Sequence, residues 1–458
     1  MFLFATLLFS FVFYAPTLSF FFISDDFDTI VKYRHFLDLV KIGPYDIHYS
    51  PVIRLINFFL TQFAWPNPTL FHFLSVAIHL VNIYLVYKLA NIFIKDKLRS
   101  NIAALIFAFF FGAYEVIYWY AAINNSLLVT YYLAAIIFFI DYIKSKKTLS
   151  LILFEFSFLL AFFTHEYAIS LIPVAFIYWF INTRLKNFKT LIKIFTIPIV
   201  VLFATTIFKM IYVKMPLFVR TPTLAKFIAY FLRSVVYLFV PNPYIVDRLP
   251  NFAIPIVFII ISLVLVRYTR NKKALFLLIW GFLTIFLYSI TSAPQARYFY
   301  LSYIPIAVYI LLIINFKKRK SLVIGGVYLM FILTSGLIFL QNQKVYWKLN
   351  SKITKNVIVD LKKIFANNKN TDIIYFVNLP DSVNDSIWKA YVFRSGFIKL
   401  LNLSVNIYPK KVIFLTSYRP SKHVIEASYM SSQELISLSK NNQVFIYNED
   451  SKTIKPLH

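Results

Sequence analysis

The chain has 458 residues, 60% hydrophobic and only 14% charged, with a mean hydropathy of +0.70, a composition that excludes an ordinary soluble domain and points to many membrane-spanning segments. A formal charge of +28 would suggest nucleic acid as partner of a soluble protein, but most Lys and Arg here stand in short clusters between apolar runs, as the positive-inside rule produces. With no Cys and only 7 Gly, the chain has no disulfide, thiolate metal site or Cys nucleophile, and no phosphate-cradling glycine loop for a nucleotide-sugar donor.

Taking roughly 17 to 25 residues as the length of a span, apolar segments near 2–23, 69–94, 101–120, 124–143, 149–163, 166–183, 190–213, 251–266, 274–291, 298–315 and 321–341 predict about eleven transmembrane helices. The basic clusters alternate with them. Lys95, Lys97 and Arg99, then Lys144, Lys146 and Lys147, then Arg184, Lys186, Lys189 and Lys193, then Arg267, Arg270, Lys272 and Lys273, and finally Lys317 to Lys320 all fall on one side, which is cytoplasmic. The short opposite loops, 121–123, 164–165 and 292–297, hold Arg297 as their only Lys or Arg. The N-terminus is therefore expected inside, and the loops 24–68 and 214–250 and the segment 342–458 outside a plasma (inner) membrane. This orientation requires the apolar stretch 224–240, broken by Lys226 and Arg233, to be interfacial or re-entrant. The first segment lacks a basic n-region and a small-x-small site before Ser24, so it is expected to stay as an uncleaved span.

Past Gln341 the sequence turns polar, with β-like runs at 373–377, 412–415 and 444–447 and helical stretches at about 344–367 and 385–401. That alternation predicts a small α/β domain at 342–458, separate from the membrane domain 1–341. Its loop Asn378 to Ser382 follows the first strand, a position that binds ligands in α/β sheets or serves as a packing turn.

Chemistry is expected at the end of the first span. Asp25 and Asp26 are adjacent carboxylates there, followed by Asp28, Lys32, Arg34 and His35 in a loop of about 45 residues, longer than a connection needs. Hydrophobic walls around such acids perturb their pKa values, and one carboxylate can act as base while its neighbour orients it or binds a cation. A solvated acidic loop is the alternative. Glu115 near the outer end of its span is harder to treat as surface, because buried acids in membranes usually face a cavity. His165 and Glu166 form a titratable pair in a tight outer hairpin, and Arg297, followed by Tyr298, offers a planar fork for phosphate oxygens or an interfacial anchor. His72, His79 and Asn82 share a helical face where hydrogen bonds between spans are the favoured role, with His79 also a candidate to line the cavity.

Several elements together resemble the GT-C membrane glycosyltransferases. These are the acidic pair after the first span, Tyr49-Ser50-Pro51, Pro68 leading to His72 at the entry of the second span, His79 and Asn82 within it, and Glu115-Val116 with a polar turn at Asn124-Asn125. The group includes protein O-mannosyltransferases, lipid A aminoarabinose transferases and the tetratricopeptide-repeat transmembrane mannosyltransferases, the last closest in pattern. The resemblance spans roughly the first 300 residues by spacing. It departs at Phe111-Gly112-Ala113-Tyr114, where that group has His-Pro, and at Ile123-Asn124-Asn125, which replaces its Arg-x-Asp; tetratricopeptide repeats are absent.

The resemblance implies a polytopic α-helical fold and transfer of a sugar from a polyprenyl-phosphate donor to a protein, lipid or glycan acceptor on the outer face, with inversion. Asp25, Asp26 and Glu166 would be catalytic, Arg297 and Tyr298 would bind the donor phosphate, and Asp28, His165, Glu115 and His79 would line the same cavity. The Pro294 to Tyr300 turn is similar to a Glu-Arg-Tyr element of the relatives, with Ala296 in place of the acid. A divalent cation held by Asp25, Asp26 and Glu166 is left open. Membrane lipids are expected partners and nucleic acid is not. A lipid-linked glycan flippase or polymerase and a non-catalytic scaffold for envelope assembly are the rival functions; the first would place more charge along a path within the spans.

Overall fold

The computed structural model describes residues 2–31, 36–39, 50–183, 188–212, 222–269, 271–366, 372–384, 388–394, 396–418, 424–425 and 427–457. Lys32, Arg34, His35, Tyr49, Arg184, Lys186 and Arg270 lie outside them. The membrane part comprises α1 (Phe2–Tyr14), α2 (Asp26–Val31), α3 (Pro51–Ala64), α4 (Thr69–Ile94), α5 (Lys97–Ala108), α6 (Ala113–Tyr118), α7 (Ile123–Ser145), α8 (Thr148–Phe162), α9 (Leu171–Asn182) and α10 (Phe188–Tyr212). It continues with α11 (Leu224–Phe239), α12 (Pro243–Arg248), α13 (Ala253–Tyr268), α14 (Lys272–Thr291), α15 (Ala296–Ile313) and α16 (Arg319–Ile364).

Among the described residues seven helices are long and apolar enough to cross a bilayer, those at Phe2–Ser19, Thr69–Ile94, Tyr120–Ser145, Thr190–Phe208, Lys272–Thr291, Ala296–Ile313 and Arg319–Ile364. The protein is an integral membrane protein. Of the other four expected spans, three are shorter apolar helices, Thr148–Phe162, Glu166–Asn182 and Ala253–Tyr268. The fourth, 101–120, is broken between α5 and α6. Interrupted helices persist at membrane depth only where protein covers the freed backbone groups, and here every residue from Ile106 to Tyr120 is buried. α11 is not among the candidate spans; its last turns, Ser234 to Phe239, are buried against α13, α14 and α15.

α15 forms the centre of the bundle, buried without a break from Phe299 to Leu311, and it packs on α4, α5, α7 and α14. Gly112 permits the close approach of the α5–α6 break to the start of α15, since a Cβ there would lie 2.8 Å from the Ala296 carbonyl oxygen. α16 corrects the expected pause at 341. The segments 321–341 and 344–367 are one helix to Ile364, about 69 Å long at the usual rise of 1.5 Å per residue, so it extends well beyond a hydrocarbon core of about 30 Å.

That extension carries the C-terminal α/β unit. Its five strands, β1 (Ile373–Val377), β2 (Lys411–Thr416), β3 (Ser428–Tyr429), β4 (Gln443–Asn448) and β5 (Thr453–Pro456), run in the order β3-β2-β1-β4-β5, parallel except for β5. Ile353, Val357 and Leu361 of α16 share a core with Phe376 and Phe445 of the sheet. The helix expected at 385–401 is not formed: among its described residues only α17 (Phe397–Leu400) is α-helical, continued by one π turn through Val405, and a short α18 (Ser432–Ser439) precedes β4. Residues 388–394 instead make an irregular strap, with Val383 N and Ala390 O, and Val392 N and Asp381 O, hydrogen-bonded across it.

The strap joins the two parts. Trp388 packs against Phe111, Tyr237 and Phe299, and its Nε1 donates to Asp247 Oδ2 at 2.8 Å. Ser24 N donates to Val392 O at 2.9 Å, and Asn350 Nδ2 donates to Tyr391 O at 3.0 Å. The C-terminal unit thus rests directly on the loop that follows the first span.

Candidate active site

The two adjacent acids differ in burial and in partners. Asp26 is fully buried, its Oδ2 accepting from Ile23 N at 2.9 Å and its Oδ1 from Ala121 N at 2.7 Å. It clamps the end of the first span to the turn between α6 and α7. Burial pushes its carboxyl up to about 8 against the pull of these two backbone donors. Asp25 is only half-buried. Its carboxyl is pushed up to about 6, by burial first and then by Asp28, while Arg297 and Arg394 pull it down. Both carboxyls are raised above the ordinary range, Asp26 further than Asp25, and such a separation can give neighbouring carboxyls different roles.

Glu115 and Arg297, far apart in sequence, meet at the same mouth. Arg297 N donates to Glu115 Oε2 at 2.9 Å, and Arg297 Nη1 reaches the same oxygen at 3.4 Å. The carboxylate therefore caps the N-terminus of α15, where the helix dipole favours negative charge, and neutralises the guanidinium. The Arg297 guanidinium also lies 5.3 Å from the Trp119 ring centre and 5.2 Å from that of Tyr298. Cation–ring contacts of this kind hold the guanidinium in one place.

The C-terminal strap adds two side chains that sequence reasoning did not single out. Tyr391 faces Trp119 with ring centres 6.0 Å apart, and the Arg394 guanidinium lies 4.6 Å from the Tyr391 ring centre. Gly396, at φ +78°, lets the strap approach so closely that a Cβ would collide with the Ser24 carbonyl oxygen. Trp347 of α16 also packs against Trp119, at a tilt and with ring centres 6.1 Å apart. An Arg in an aromatic run just before a Gly was the only sequence signal for this contribution.

The remaining candidates divide. His165 Nδ1 and Glu166 Oε2 are 3.6 Å apart, and Tyr167 beside them packs on Tyr298 at 6.0 Å, which places this hairpin alongside Arg297 and Tyr298. Phe163 of the same hairpin accepts from Val52 N of α3. Asp28 is half-buried in α2, close to Gly396. His79 does not line the mouth. It is completely buried among the helices, with Nδ1 2.7 Å from Tyr300 Oη and Nε2 3.2 Å from the Ala108 carbonyl oxygen. The carbonyl can only accept, so Nε2 carries the hydrogen and Nδ1 accepts from Tyr300. Asn82 Nδ2 donates to Ser126 O and to Tyr300 Oη, completing an interhelical network. Both His79 and Asn82 are glue between spans.

The sequence leaves open whether Asp25, Asp26 and Glu166 hold a divalent cation; among the described residues no three His, Asp or Glu side chains are grouped as a metal site. Both oxygens of Asp26 are already committed to backbone N–H groups. The loop Asn378 to Ser382 is bound to the strap, Val392 N donating to Asp381 O, and its Asn378, Pro380 and Ser382 also line a crevice with Tyr418, Tyr447, Glu449 and Lys452.

No protein-family model and no curated protein matches the chain. Among solved structures it is similar to ArnT from Cupriavidus metallidurans bound to undecaprenyl phosphate, with a TM-score of 0.52 and 11% identity over 98% of this chain and 93% of that chain. The apo state of the same protein gives a TM-score of 0.51 at 10% identity, with equal coverage. Such a likeness over nearly the whole of both chains bears out the expected architecture: the chain has a GT-C-like fold, a polytopic helical membrane protein with a small C-terminal sheet region.

Proposed function

We propose that the protein is an inverting membrane glycosyltransferase that moves a sugar from a polyprenyl-phosphate donor to an acceptor hydroxyl on the outer face of the membrane. The observation that carries this reading is the half-buried, ionisable Asp25 within electrostatic reach of Arg297 and Arg394, in a fold shared with a protein solved with undecaprenyl phosphate. In a single displacement Asp25 accepts the acceptor's proton as its oxygen attacks the anomeric carbon. The bond from that carbon to the phosphate oxygen breaks, and the polyprenyl phosphate leaves with the electron pair towards the basic side of the site. Asp26 positions the loop that carries Asp25. Glu115 holds Arg297, and Glu166 with His165 flanks the acceptor or sugar beside Tyr298.

Charge gathered at one mouth, with α15 apolar and buried beyond its first turn, favours transfer over passage of a lipid-linked glycan through the spans. In the proposed orientation the N-terminus is cytoplasmic and the C-terminal unit lies outside. A tag at the C-terminus reached by impermeant reagent in intact cells supports it, and a shielded tag overturns it. The activity itself is tested by incubating the protein in nanodiscs with a radiolabelled polyprenyl-phosphate sugar and membrane extract as acceptor. Release of polyprenyl phosphate coupled to label in an acceptor supports the proposal; an intact donor in the presence of active protein and extract overturns it.

A further inference from the structure

The site holds two guanidinium groups, and only one of them is held in an ion pair with an acid. Arg297 is paired with Glu115 through both its backbone N–H and its side chain. Arg394 makes no ion pair with any described residue; its guanidinium lies over the face of Tyr391, and its side chain is exposed. The two cations sit at opposite ends of a Trp119–Tyr391 ring pair, Arg297 over Trp119 and Arg394 over Tyr391. Trp119 Nε1, buried in that aromatic wall, has no acceptor among the described residues. A phosphate that gains negative charge as its bond to a sugar breaks needs a cation whose charge is not already spent on a carboxylate. Arg297 supplies little net charge of this kind.

We propose that Arg394, delivered by the C-terminal unit, is a substrate-contacting residue that receives the phosphate of the polyprenyl-phosphate donor, with Arg297 and Glu115 serving as a neutral pair that shapes the opposite wall. The placement is built into the backbone. Ser24 N bonds to Val392 O, and Gly396 lies so close to the Ser24 carbonyl that no larger residue fits, so Arg394 is held beside the loop of Asp25 from both sides. Both Arg297 and Arg394 also draw the Asp25 carboxyl downward, which places Arg394 within electrostatic reach of the proposed base. The membrane part alone would then lack a complete donor site.

The assignment rests on the donor class proposed above, and the test separates the two. Full-length protein in nanodiscs is titrated with undecaprenyl phosphate, the product of the proposed transfer, and binding is read by native mass spectrometry. Losing a charge-assisted contact to phosphate should weaken binding about 10- to 100-fold in Arg394→Ala, with a smaller loss in Arg394→Lys, which keeps the charge without the fork. Because the side chain is exposed, thermal stability should not change. Gly396→Ala, which forces the strap off Ser24, should weaken binding while leaving Arg394 in the chain. Wild-type protein that binds undecaprenyl phosphate alongside an Arg394→Ala variant that binds equally well overturns this assignment alone. Wild-type protein that binds none overturns the donor class and the assignment with it.

Discussion

Replacing Asp26 should act on stability, whereas replacing Asp25 should act on turnover. Asp26 accepts two buried backbone N–H groups, from Ile23 at 2.9 Å and Ala121 at 2.7 Å, one on each oxygen. Asn keeps one carbonyl oxygen and sets an NH2 group against the other donor, leaving one buried N–H unmet at a cost of about 1–3 kcal/mol. Ala leaves both unmet and should cost about twice as much. Asp25 is half-buried and, among the described residues, ties no element to another, so Asp25→Asn should not destabilise the fold as Asp26→Asn does. Unfolding in mixed detergent micelles, followed by far-UV circular dichroism, measures all three variants. An Asp26→Asn protein as stable as wild type, or an Asp25→Asn protein that loses more stability than it, would refute the division of labour.

Transfer should fall as pH drops through about 6, because Asp25 works as a base only when ionised and its carboxyl is pushed up to about 6; a flat rate between pH 5 and 7 contradicts that role. Asp26 is raised from 3.8 to about 8, so between these values the folded state binds its proton more tightly than the unfolded chain does. Its contribution is complete below 3.8 and is lost as pH rises towards 8, a slope that Asp26→Asn should flatten in the same unfolding assay. A double-mutant cycle on Glu115 and Arg297 should show single-Ala losses of roughly 2–4 kcal/mol, since each leaves a partly buried charge unpaired, and a double mutant that recovers at least about 1 kcal/mol of their sum. Additive losses would mean that the 3.4 Å contact carries no coupling.

Period and charge made the membrane architecture legible: apolar runs of bilayer length report burial in lipid, and clustered Lys and Arg report the loops between them. The same signals miss where a helix ends for other reasons. α16 passes Gln341 without interruption because its backbone hydrogen bonds do not depend on hydropathy, and only the environment of the helix changes there. The break between α5 and α6 was hidden in a continuous apolar run whose backbone is covered by protein. At the site, Asp25, Asp26, Glu115, His165, Glu166 and Arg297 stood out as polar residues at span ends. Their division of roles did not, because it comes from partners distant in sequence: Ala121 for Asp26, and Glu115, 182 positions away, for Arg297. His79 was ambiguous for the same reason, until Tyr300 and Ala108 accounted for both ring nitrogens. Tyr391 and Arg394 reach the mouth through the docking of the C-terminal unit, which no local pattern encodes.

The most direct measurement of the central claim is single-turnover transfer by Asp25→Asn from a synthetic polyprenyl-phosphate sugar, alongside its affinity for undecaprenyl phosphate. The amide keeps the shape of the side chain but cannot take the acceptor's proton. Turnover should drop by about 10²- to 10⁴-fold while undecaprenyl phosphate still binds, since the cationic side of the site is intact. Wild-type turnover in Asp25→Asn would contradict the assignment of Asp25 as the base.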